Sequence, residues 1–268
     1  MGKLCGTLFV FNGNKFDYCF KEAIQCLLEF CDYVVVAAGG DDGTLEDILS
    51  MNEFDINKFT LSSPSVKSWS SDNMKVIEIT QEEWDSQHGK EKLAYFTNIA
   101  IQTADKLGFE YQFNLQADEI LSERSYTEVR LAVQGGAESY FCKRINLWQS
   151  PYLQLDVPHN RKPCSTEIVR LAKTRYRSVD DAESLGVPVI DTYFMNGIHI
   201  WHYGFVRKKE VMKSKIINMQ ESVFGVDHDK KLDECDVFNS KLWFDGDDLK
   251  PIDYPHPKIM KEWIKTRP

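Results

Sequence analysis

Residues 33–38, YVVVAA, constrain this chain most, because the run is apolar on both faces of a strand and far too short to cross a membrane. Such a strand has to be covered from both sides, as happens when helices flank a parallel sheet. The preceding residues fit. Residues 4–11, LCGTLFVF, form a second apolar run, and Cys19, Phe20, Ala23, Ile24, Leu27 and Leu28 recur at helical spacing between the two. The first 45 residues therefore predict a strand-helix-strand unit that runs into a Gly- and Asp-rich turn at 39–44.

The rest of the sequence extends this α/β pattern. Thr44 is placed to cap a helix beginning LEDILS, and residues 58–61 and 75–79 offer two short strands. Residues 88–107 return to helical spacing through Leu93, Phe96, Ile99, Ala100, Ala104 and Leu107, and Gly108 ends the run. The next strand, within FEYQFNLQADEIL, delivers Asp118 and Glu119 at its end. A helix is expected over 122–134, a strand over SYFCKRINLW, and a long helix from about 208 to 223. The stretch 227–253 carries nine acidic and four basic residues, and 225–268 reads as an irregular acidic extension packed on a catalytic domain of residues 1–224.

Charge and cysteine usage narrow the class. With 41 acidic and 32 basic side chains the net charge is −9, which disfavours broad polyanion binding while leaving room for a local phosphate site. Seven cysteines form no CxxC pair and several sit in apolar runs, so reduced thiols in a cytoplasmic setting are expected. No signal-peptide pattern or run of about 20 apolar residues is present, so no membrane span is expected.

Three segments carry chemistry. In QADEI at 116–120, Asp118 is the first choice to ligate a divalent cation bridging phosphate oxygens, although an exposed Asp-Glu pair ending a strand reads the same way. In HIWHYGFVRKK at 199–209, His202 is the better metal ligand of the two histidines, and Arg207 can neutralise a leaving phosphate. The turn AAGGDDGT places Asp41 and Asp42 where they could accept hydrogen bonds from a base, a ribose or loop amides. It matches neither GxGxxG nor GxxxxGK[ST]. Basic residues at 161, 162, 170, 173, 175 and 177 could meet phosphates or pair with the acidic extension, and Trp148 and Tyr152 could stack on a sugar or simply pack.

Taken in order, these segments resemble the family 2 glycosyltransferases and their small relatives of the nucleotide-diphospho-sugar transferase fold, called GT-A. The resemblance covers about residues 4–222. It implies a single Rossmann-like mixed-sheet domain that moves a sugar, most simply a hexose, from a nucleotide-diphospho-sugar to an acceptor hydroxyl with inversion. It places Phe11 and Asn12 beside the nucleotide, Asp42 in its turn, Gln116 near the ribose, Asp118 and His202 on Mn²⁺ or Mg²⁺, and Arg207 by the diphosphate. A saccharide is the leading acceptor, with a modified nucleic-acid base or a protein as alternatives. For the general base, Glu119, Glu138 and Asp191 are available, and Glu138 is preferred because it does not duplicate the metal ligand. Two departures from the family stand out. Ala37 and Ala38 occupy the end of the YVVV strand where an acidic base reader is expected, and Gln116 replaces the first acid of Asp-x-Asp. A nucleotidyltransferase of the same fold and a non-catalytic nucleotide-sugar binder are the competing functions.

Overall fold

The computed structural model describes residues 2–51, 67–155, 166–225, 237–238 and 249–268. The strand expected at 58–61, Arg161, Lys162 and most of the acidic stretch lie outside the described residues.

The opening unit is β1 (Leu4–Phe11), α1 (Phe20–Phe30) and β2 (Tyr33–Gly39). β1 runs parallel to β2, with Leu8 opposite Val36. The alternation of β2 sends Val34, Val36 and Ala38 into one apolar core and Val35 and Ala37 into another, so the run is buried on both faces as its composition demands. α1 covers the first face with Ala23, Ile24, Leu27 and Phe30. After α2 (Thr44–Ser50) come β3 (Ser68–Ser70) and β4 (Met74–Ile79), of which β4 lies parallel to β2.

The second face is closed by α3 (Gln81–Ser86) and α4 (Lys92–Lys106). α3 is short, and a capping box starts it: Thr80 Oγ1 accepts from the Glu83 amide and Glu83 Oε2 accepts from the Thr80 amide. That box delivers Trp84 to the end of β1. α4 returns the chain to β5 (Tyr111–Gln116), parallel to β1 on its other side.

Beyond β5 the sheet becomes mixed. β6 (Glu119–Leu121), α5 (Tyr126–Gly135), β7 (Ser139–Trp148), β8 (Ser150–Leu155), β9 (Glu167–Lys173) and β12 (Thr192–Phe205) follow. β9 is antiparallel to both β5 and β7, and β12 is parallel to β7 and antiparallel to β6. A small hairpin of β10 (Ser178–Val179) and β11 (Ser184–Leu185) stands between them. α6 (Lys209–Asn218) continues as a π-helical turn, Met219–Val223. The result is a Rossmann-like mixed sheet of the GT-A type, ordered β13-β8-β7-β9-β5-β1-β2-β4-β3, where β13 is Leu249–Pro251.

The described part of residues 225–268 is more regular than its composition suggests. β13 pairs antiparallel with β8, and the short helix α7 (Lys261–Lys265) sends Trp263 and Ile264 into the core that holds α1. Arg267 stacks on Trp263 and pairs with Asp17. Apolar side chains at 260, 263 and 264 explain the docking. Among the described residues no helix is long and apolar enough to cross a membrane.

Candidate active site

Parallel strands expose their carboxyl ends at one edge of a sheet, where ligands of open α/β folds bind. At that edge β1, β5, the hairpin and α6 enclose a cleft of about 200 Å³ lined by Phe11, Trp84, Gln116, Asp118, His202 and Lys215 among others. Its first wall is aromatic. Trp84 stacks on Phe11 with ring centroids 4.3 Å apart, and the Lys92 ammonium lies 3.9 Å from the Trp84 ring. Lys92 Nζ also donates to the Ser222 carbonyl, and the Gly89 amide donates to the Val223 carbonyl, which ties the turn after α6 to the start of α4.

The floor is built around Asp118, which is 5% exposed. Lys215 Nζ donates to Asp118 Oδ2 at 3.1 Å and Arg207 Nη2 approaches the same oxygen at 3.4 Å. Burial alone would raise the carboxyl pKa, yet the nearby cations hold it well below the usual carboxylate range. Burial drives His202 down to about 3 against the pull of Asp118, so its imidazole is neutral at pH 7. His202 Nδ1 lies 2.9 Å from Asn146 Oδ1, and its Nε2 faces Asp118 Oδ1 at 3.7 Å. Lys215 is lowered to about 8 by burial and then by Arg207, with Asp118 acting the other way.

Gly204 makes this packing possible. A Cβ there would lie 2.2 Å from His202 Nε2, so the imidazole folds over a position that only glycine can occupy. The Gly204 carbonyl accepts from both Arg207 Nη1 and Lys215 Nζ. Arg207 Nε donates to the Phe16 carbonyl, and its guanidinium lies over Tyr18. Arg207 is therefore a buried brace between the 12–18 loop and the floor, while Lys215 and, paired with Glu183, Arg144 line the cleft.

The third wall is the tip of the hairpin, Asp181, Ala182 and Glu183. Asp180 and Ala182 have φ of 52° and 63°, a left-handed backbone that costs non-glycine residues about 1 kcal/mol or more. The Ala182 carbonyl accepts from Gln116 Nε2 and Arg170 Nη1, both at 3.1 Å, which fixes the tip. Glu183 pairs with Arg144, whereas Asp181 has no ion pair or hydrogen bond from its side chain among the described residues.

The residues expected from sequence separate into groups. Phe11, Gln116, Asp118 and His202 meet in the cleft. Asn12 and Asp42 build the adjoining turn: Asn12 Oδ1 accepts from the Asp41 amide, and Asp42 accepts from the Lys15 amide and from Thr44. Glu138 is not brought to the site. It precedes β7 at the amino end of the sheet, where its carbonyl accepts from the Lys173 amide and its carboxylate pairs with Arg175. Glu119 turns away from the cleft to Arg170 and Arg144, and Trp148 is buried with its indole N–H on the Phe238 carbonyl.

Sequence reading missed Lys215, Arg144, Trp84 and Asp181. A signal existed for Lys215, which shares the inward face of α6 with buried Met212 and Ile216. None existed for Asp181, whose position depends on the two left-handed residues beside it.

A divalent cation fits this floor poorly. Asp118 Oδ1 and His202 Nε2 are two donors, but Gln116 brings no charge and Oδ2 already faces two cations. Among the described residues no three His, Cys, Asp or Glu side chains converge on one point.

No family model matches the chain, and no curated protein does. Solved structures do. Staphylococcus aureus TarS is 13% identical over 85% of this chain, with a TM-score of 0.43, and this chain spans 41% of it. TarS 1-349 in complex with UDP is 13% identical over 90% of this chain and 70% of its own, with a TM-score of 0.41. A putative glucose-1-phosphate thymidylyltransferase from Bacillus anthracis, in complex with a sucrose, is 11% identical over 90% of this chain and 82% of its own, with a TM-score of 0.36. These are remote likenesses, and the fold class rests on the strand order and directions described above.

Proposed function

We propose that the cleft binds a nucleotide-diphospho-sugar and transfers its sugar, a hexose, to an acceptor hydroxyl, most simply that of a saccharide. The observation that carries this reading is the cationic floor at the carboxyl edge of β1 and β5. There Lys215, backed by Arg207, reaches a cleft whose other wall is aromatic. Aromatic and apolar side chains suit a base or sugar face, and a fixed ammonium suits a diphosphate.

In the transfer, the acceptor oxygen attacks the anomeric carbon while the bond from that carbon to the diphosphate oxygen breaks. The bonding electron pair leaves with the diphosphate, where the cations stabilise the charge that develops. The acceptor proton passes to Asp181, the half-buried carboxylate of the cleft that is not engaged by a cation among the described residues. The products are the inverted glycoside and a nucleoside diphosphate. Gln116 and Thr97 supply amide and hydroxyl groups to the same cleft.

The test is a panel of nucleotide-sugars with saccharide acceptors, read by mass spectrometry of the glycoside and release of nucleoside diphosphate. Asp181→Asn is expected to lower turnover roughly 10²- to 10⁴-fold with donor binding unchanged. Pyrophosphate as the released product would sink the reading.

A further inference from the structure

We propose that Lys215 takes the place of a divalent cation at this site, so that the diphosphate is bound and released against a fixed ammonium and without metal. The inference rests on the reading of the cleft as a nucleotide-diphosphate site, and it concerns what neutralises that group.

Three observations carry it. The Asp118 cluster is one carboxylate beneath two cations, so it is already net positive where a metal would have to be held. The adjacent acid, Glu119, is fully buried and taken by Arg170 at 2.8 Å and Arg144 at 3.5 Å, and it does not line the cleft. The third acidic position of such a site is Gln116, whose amide is fixed on the Ala182 carbonyl. Any divalent cation at Asp118 would therefore compete with an ammonium 3.1 Å from the same carboxylate and with a guanidinium behind it.

Lys215 is equipped for the substitution. An ammonium has three N–H donors, and Asp118 Oδ2 and the Gly204 carbonyl take two of them. The third is available to a phosphate oxygen in the cleft that Lys215 lines. Asp118 then acts as a positioning residue: together with Gly204 it holds the ammonium in place, and no proton has to move. His202 contributes through packing, because its ring lies beside Asp118 and closes the floor over Gly204.

The experiment is isothermal titration of the full chain with UDP, dTDP, GDP, CDP and ADP, each in chelator and in excess MnCl2. The expected result is that the cognate diphosphate binds equally well in both. Lys215→Met is expected to weaken it roughly ten- to hundredfold in chelator, and Lys215→Arg, which keeps the charge, to retain most of the affinity. Circular dichroism confirms that the variants are folded. Wild-type binding that appears only with Mn²⁺ overturns this inference and leaves the transferase reading standing, as does Lys215→Met binding like wild type in chelator. Failure of every nucleotide to bind under both conditions overturns both.

Discussion

The two edges of the sheet carry similar side chains in different surroundings. At the amino edge Lys173 pairs with Glu110, Arg175 with Glu138 and Arg177 with Asp105, each basic residue with one acid. Water reaches these pairs: Arg175 is 61% exposed and Glu110 is 52% exposed. At the carboxyl edge the charges are shared and buried. Arg170 and Glu119 are fully enclosed, and Asp118 faces two cations at once. Solvent screens the first set into near-independence, whereas the second is a network in which removing one member leaves its partners desolvated. The basic cluster at 170–177 is thus divided between the two roles, and Lys173, Arg175 and Arg177 pair with Glu110, Glu138 and Asp105.

The largest expected effect breaks the buried edge. Glu119→Ala leaves Arg170 and Arg144 without their shared carboxylate, and a loss of roughly 3–5 kcal/mol in folding stability is expected. Urea denaturation measures it, and a loss below about 1 kcal/mol would erase the distinction between the edges.

The next effect concerns ligand binding. Lys215 is lowered to about 8 in the free protein, surrounded by Asp118, Arg207, His202, Tyr18 and Cys19. Below that pH it is charged and able to meet a diphosphate; above it the free protein loses the proton, which must be regained on binding. Nucleoside diphosphate affinity is therefore expected to fall by about tenfold per pH unit above pH 8. The Lys215→Arg protein should show a flat profile over the same range, because an arginine keeps its charge. Titration calorimetry between pH 7 and about 9.5 reads the difference.

Much of the parallel half was legible in the sequence because local pattern and burial agree there. β1, α1, β2, β5 and β7 fall where apolar spacing places them, since both faces of those strands are covered. α3 and β9 were not resolved from the sequence. α3 is six residues long and depends on the Thr80–Glu83 box, and β9 carries Arg170 inside an apolar strand because Glu119, 51 residues earlier, neutralises it. The same limit applies to the site. Asp118 is legible at the end of a strand and His202 in the HIWHYG run, but whether they hold a metal depends on Lys215, whose approach is fixed only by how α6 folds back over the cleft. Glu138 shows the converse: it is preferred as the base because it does not duplicate the metal ligand, and the direction of the strand it precedes carries it to the opposite edge.

That direction makes Glu138 the sharpest control for the comparison. Its carboxylate pairs with Arg175 and accepts from the Tyr176 hydroxyl at 3.1 Å, and the Arg175 guanidinium lies in solvent. Replacing it with glutamine keeps the side-chain volume and an acceptor for Tyr176, so what is removed is one screened charge interaction. A change in stability of about 0.2–1 kcal/mol is expected. Because Glu138 sits level with Lys173 and Tyr111 at the start of β5, an entire strand length from Gln116, turnover and nucleotide affinity should be unaltered. A Glu138→Gln protein that folds normally but has lost transfer would mean that the acceptor approaches from the amino edge, and the assignment of the base to Asp181 would fall with it.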